Sequence, residues 1–158
     1  MAAALKHENV GLKRWRFVVP HAQVLTLNTV PIALVPAPDN AKNYYQVVSV
    51  GAFANVAAGT YTANGSVTLL EFFYGNTSGP VCANSADFHV AIGANVSFAI
   101  VGGPVVNIIS TNATSIIGQG IAVALINTGQ TDLTGGNANN TLIIEVVTHE
   151  FNADPASV

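Results

Sequence analysis

Thr141-Leu142-Ile143-Ile144-Glu145-Val146-Val147-Thr148-His149-Glu150 is the stretch that decides the fold. Leu142, Ile144 and Val146 alternate with Thr141, Ile143, Glu145 and Val147, and a period of two places each set on its own face of a β-strand. One face is core and the other is mixed. The same texture recurs along the chain. Val, Ile, Thr and aromatic runs predict strands at Trp15–Val19, Gln23–Leu27, Ile32–Val35, Tyr44–Ala54, Val67–Tyr74, Phe88–Ile92, Val96–Val101, Val105–Ser110, Gly120–Asn127 and Thr141–Glu150. Between them stand turn clusters: Pro36-Ala37-Pro38-Asp39-Asn40, Ala63-Asn64-Gly65-Ser66, Gly75-Asn76-Thr77-Ser78-Gly79-Pro80, Gly102-Gly103-Pro104 and Thr134-Gly135-Gly136-Asn137. Gly and Asn tolerate positive φ, and Pro interrupts pairing, so each cluster ends a strand for a stated reason. No twelve-residue window carries an apolar period of 3.6. The expected fold is all-β: an antiparallel β-sandwich of jelly-roll or Greek-key type, with an extended N-terminal arm.

Two strands are apolar on both faces. In Gly120–Asn127, Ile121, Val123 and Leu125 oppose Ala122 and Ala124; in Val67–Tyr74, Leu70, Phe72 and Tyr74 oppose Leu69, Glu71 and Phe73. Either a loop of the same chain covers the second face, or another subunit does.

Charge is sparse and unevenly placed. Only 8% of residues are Asp, Glu, Lys or Arg, against roughly a quarter in an ordinary soluble domain. The first sixteen residues hold four cations against one carboxylate; the remainder hold one cation against seven carboxylates. The organisation read from this is a basic arm over residues 1–16, a β-sandwich domain over 17–151 and a short tail over 152–158. A body with so little charge reads as one covered by neighbours. Lys13, Arg14, Trp15 and Arg16 are the candidate partner-binding residues, because Arg and Trp are enriched at the energetic centres of interfaces and their charge complements an acidic body. Four cations are a weak footprint for a nucleic acid, and the acidic body repels one, so no nucleic-acid partner is expected.

At 158 residues with half of them hydrophobic, the chain is one domain large enough to need no staple. No apolar run approaches the roughly eighteen residues of a membrane span, so no membrane partner is expected. The opening Met1–Glu8 meets charge before a long apolar segment forms, so no leader is expected. Cys82 is the sole cysteine, which excludes an internal disulfide.

No catalytic constellation emerges. His7, His21, His89 and His149 belong to no H-E-x-x-H or H-x-H pattern, and there is no G-x-S-x-G, Walker loop or G-x-G-x-x-G. Asp87 and His89 share a strand face without a third ligand nearby, which reads as a polar edge pair rather than a metal site. Asp39 and Asp132 are isolated carboxylates, and His149 with Glu150 reads as a solvated strand end. No enzyme activity, cofactor or metal is expected.

The segment Leu27-Asn28-Thr29-Val30-Pro31-Ile32-Ala33-Leu34-Val35-Pro36-Ala37-Pro38, followed by Tyr44-Tyr45-Gln46-Val47-Val48-Ser49-Val50, resembles the opening of small capsid decoration (cement) proteins of tailed bacteriophages. Asp132-Leu133-Thr134-Gly135-Gly136-Asn137, running into Thr141–Val147, resembles the last hairpin of such proteins. The resemblance implies a β-sandwich or jelly-roll on the outside of the head shell, dimeric or trimeric, that locks major capsid protein subunits after expansion. It implies neither the basic arm nor the polar tail through Pro155. The expected function is therefore a structural virion protein, assembled in the host cytoplasm. It binds the head surface and stabilises the major capsid protein lattice as a homo-oligomer, trimer before dimer. The rival is a tail or fibre receptor-binding β-sandwich, with Tyr44, Tyr45 and Tyr61 as its aromatic cluster.

Overall fold

The alternation quoted above becomes the centre of the molecule. In the computed structural model, which describes residues 10–56, 59–63, 68–84, 98–104, 116–127 and 129–152, Leu142, Ile144 and Val146 are all but completely buried. Their strand pairs on both sides, antiparallel each time. In chain order the elements are β1 (Val10–Pro20), α1 (His21–Leu25), β2 (Ile32–Val35), β3 (Asn43–Asn55), β4 (Tyr61–Thr62), β5 (Thr68–Tyr74), β6 (Val81–Asn84), β7 (Phe98–Pro104), β8 (Ile121–Asn127), β9 (Thr134–Gly135) and β10 (Thr141–Asn152). β10 lies between β1 and β3, and β3 pairs with β7, giving a first layer β1-β10-β3-β7. β6, β5, β8 and β2 follow in that order as the second layer, and β4 pairs with β9 in a separate ribbon. The protein is an antiparallel β-sandwich.

β7 joins the layers. Phe98–Gly102 pair with β3, while Gly103 and Pro104 pair with Asn84 and Ala83 of β6. The sequence reads Gly102-Gly103-Pro104 as a turn; in the structure it is where a strand passes from one sheet to the other. Glycines relax the backbone at such a bend, and a proline at the strand end forfeits no interior ladder bond.

The two inner faces share one core, with Leu27, Tyr45, Leu70, Phe72, Val123, Leu125 and Ile144 among its buried side chains. Tyr74 reaches through it, and its hydroxyl donates to the Tyr45 carbonyl at 2.5 Å, which removes the penalty of burying a phenol. On the other side of β8, Ala122 and Ala124 are 4% and 0% exposed, so the second face of that strand is covered from within the chain.

Other elements differ from expectation. Gln23–Leu27 is not a strand: His21–Leu25 is a single helical turn, followed by a turn in which the Val30 amide donates to the Thr26 carbonyl at 2.7 Å. Val24 and Leu27, three residues apart, are buried while Ala22, Gln23 and Thr26 are exposed, a pattern of helical spacing rather than of a strand's alternation. β6 was not anticipated, since Val81-Cys82-Ala83-Asn84 is short and has no alternation. The basic segment is strand from Val10 onward, so the boundary expected after residue 16 falls inside β1. Residues 1–9 and 153–158 lie outside the described residues, as do Phe88–Ile92, Val105–Ser110, Asp87 and His89. Among the described residues no helix is long and apolar enough to cross a membrane.

Candidate functional site

Every odd residue of β1 from Lys13 to Val19 turns toward the core, and every even residue from Leu12 to Val18 turns outward. This parity divides the four candidate residues. Lys13 and Trp15 face inward; Arg14 and Arg16 face out.

The inward pair meets the buried end of β10. Glu150, expected as a solvated strand end, is 5% exposed. Lys13 Nζ donates to its Oε2 at 2.7 Å, and Asn43 Nδ2 donates to its Oε1 at 2.7 Å. Burial pushes the Glu150 carboxyl up, but the hydrogen bonds from Lys13 and Asn43, with the charge of Lys13, outweigh it and hold the group below its ordinary value. The same hydrogen bond, donated to Glu150, holds Lys13 above its own ordinary value. Trp15 Nε1 donates to Thr148 Oγ1 at 3.1 Å, and its ring meets Tyr45 edge-on at 6.3 Å. This cluster anchors β1 to the sheet. Asn43 Oδ1 is buried and has no hydrogen-bond partner among the described residues.

The outward residues form ordered rows, because directly paired residues share a face. Val18, Ile143 and Phe53 make one row, Arg16, Glu145 and Gly51 the next, then Arg14, Val147 and Ser49, then Leu12, His149 and Gln46. Val147 pairs with Ser49 and Thr148 with Val47, so Val48 is the extra residue of a bulge and also turns outward. Leu12 is 67% exposed, Val18 63%, Val48 44% and Phe53 39%. Apolar side chains thus flank a charged centre in which Glu145 Oε2 lies 2.6 Å from Arg14 Nη2 and Glu145 Oε1 lies 3.9 Å from Arg16 Nε. Both arginine side chains are about two-thirds exposed, so these ion pairs add little stability and leave the guanidinium faces open to a second molecule. Among the exposed large apolar side chains of the described residues, only Val30 and Ile126 lie off this face.

At the end of the face, Tyr44 stacks on Phe151 with centroids 5.6 Å apart, and His149 sits 4.2 Å from the same ring. This trio replaces the expected aromatic cluster. Tyr45 and Tyr61 are buried, the latter with its hydroxyl 3.1 Å from His21 Nδ1. Asp132 accepts from the Thr29 amide and hydroxyl, and so braces a loop. A shallow groove of about 380 Å³ beside it, lined by Asn28, Thr29, Pro31, Thr77, Ile126 and Gln130, carries no charged side chain.

The sequence drew attention to the charges of β1 but not to Leu12, Val18, Val48 and Phe53. Their signal was present in the alternation of β3 and β10; what joined them into one surface was pairing between strands 90 or more residues apart in the chain. No protein-family model matches the chain, and no curated protein matches it.

Proposed function

We propose that the chain is a structural binding protein that acts without catalysis, attaching to a larger assembly through the outer face of the β1-β10-β3-β7 layer. The observation that carries this reading is that face: four apolar side chains left in water around an Arg14–Glu145–Arg16 centre, in a chain with 8% charged residues. Aromatic residues and arginine are enriched at interfaces, and this face presents Phe53, Arg14 and Arg16 beside three exposed aliphatic side chains. The assembly we propose, on the resemblance of residues 27–50 and 132–147 to capsid decoration proteins, is the head shell of a tailed bacteriophage. The partner is the major capsid protein and the location is the virion surface. The sparse charge also favours a homo-oligomer, trimer before dimer, whose repeated contacts add by effective concentration.

Function then follows from linkage. A protein that binds the expanded shell better than the ruptured one stabilises it by the difference in affinity. Heads lacking the protein should assemble and rupture at a lower temperature, and adding the purified protein should restore their resistance. Unchanged rupture temperature with and without it refutes the reading. A second reading, a tail or fibre receptor-binding domain, is favoured by the Tyr44, His149 and Phe151 rings at the end of the same face. It predicts normal head stability with failed adsorption.

A further inference from the structure

β1 is the last strand of its layer, and among the described residues no backbone group pairs with its outer edge. Eleven residues make a long edge, and such an edge is a template for another strand. The side chains along it determine which strand. In an antiparallel pair, residues directly opposite point to the same face. Extending the layer with a second copy of β1 therefore requires odd residues opposite odd and even opposite even. The register of longest overlap sets Arg14 of each copy against Arg16 of the other. Shifting by two residues in one direction sets Arg14 against Arg14, and in the other direction Arg16 against Arg16. Each of these registers places guanidinium directly opposite guanidinium, and like charges at that position destabilise a pair.

We infer that the edge of β1 accepts an extended strand from a different protein, one with carboxylates at alternate positions facing Arg14 and Arg16, and that it disfavours a second copy of itself over its three longest registers. Glu145 neutralises only one of the two arginines, so the edge keeps one positive charge to be matched. The inner face of the same edge offers Trp15 and Phe17, both half-buried, which suits apolar residues at the intervening positions of the incoming strand. Main-chain bonds supply the affinity and the alternation supplies the choice. The inference goes beyond the function proposed above and does not depend on the partner being a capsid.

The test uses a capped seven-residue peptide of alternating valine and glutamate, its counterpart with lysine for glutamate, and two N-methylated forms of the first, each blocking one alternate set of amides. Binding is followed by amide shifts and hydrogen exchange of the labelled full chain. The glutamate peptide should bind with slowed exchange confined to β1, roughly tenfold tighter than the lysine peptide. One methylated form should lose binding and the other keep it. In a second arm, Arg14→Glu makes the longest register self-complementary and Arg14→Thr/Arg16→Thr makes it neutral. Both should show β1 protection that grows with protein concentration, where the natural chain shows none. The inference is overturned if the lysine peptide binds equally well, if both methylated forms bind like the parent, or if β1 of the natural chain becomes protected as its concentration rises. Loss of fold in Arg14→Glu leaves the neutral double variant and the peptide series to decide.

Discussion

Replacing Lys13 by Met removes the cation hydrogen-bonded to Glu150, a residue that is 5% exposed, and leaves it the hydrogen bond from Asn43. Breaking a buried ion pair from one side typically costs about 3–5 kcal/mol, because a charge stays buried without compensation. The Lys13 side chain is 39% exposed, so water screens the pair and the expected cost falls to about 2 kcal/mol. In a chain of this size that lowers Tm by about 4–8 °C. Glu150→Gln should be milder, about 1 kcal/mol, since the amide keeps the shape and the freed ammonium can turn to water. The order of the two costs tests the burial argument. In the natural chain Glu150 titrates below its ordinary value of 4.5, so its contribution is present above that pH and is lost as pH falls through the lower, folded value. In Lys13→Met, burial acts without the ammonium and drives the carboxyl upward, so protonation relieves the variant first. The gap between the two proteins should therefore narrow from pH 7 to pH 4. Urea unfolding followed by the fluorescence of Trp15, the sole tryptophan, measures this directly. Lys13→Met costing less than Glu150→Gln, or a gap unchanged by pH, refutes the reasoning.

Tyr74→Phe leaves the Tyr45 carbonyl without its core donor and should cost about 1–3 kcal/mol by the same urea assay. Cys82 is 1% exposed and burial pushes its thiol up to about 12, so a thiol reagent at pH 8 should fail to label the native chain and label it fully once urea unfolds it. Gly136→Ala should destabilise by about 2–3 kcal/mol: its φ is +76°, and a Cβ there would lie 2.5 Å from Tyr61 Cε1 and 2.9 Å from His21 Cε1.

What the sequence made legible follows from distance along the chain. The period-two alternation of β10 and β3 is local, and it located the central strands to within two residues. Gln23–Leu27 misled because five residues cannot separate a strand from one helical turn; the backbone of His21–Leu25 does, with Ala22, Gln23 and Thr26 exposed around buried Val24 and Leu27. Gly102-Gly103-Pro104 has turn chemistry, yet its partners on β3 and β6 make it a crossing between layers. The basic segment read as a free arm because its carboxylates, Glu145 and Glu150, lie more than 130 residues away. Once they are placed, Lys13 and Trp15 become anchors of the sheet, while Arg14 and Arg16 keep the exposure that a partner requires. Removing residues 1–16 would strip most of β1 and bare β10, so point substitutions report on attachment more cleanly than truncation.

The most direct measurement is therefore attachment of a Val18→Thr/Phe53→Ser variant to tailed-phage heads that lack the protein. These residues share a row on the outer face at 63% and 39% exposure, so the variant should unfold within about 0.5–1 kcal/mol of the natural chain. Contacts of this kind are worth about 1–4 kcal/mol each, so its affinity for the heads should fall at least about tenfold, while Val30→Ser, off the face, should bind normally. Undiminished attachment of the double variant would contradict the assignment of this face as the binding surface.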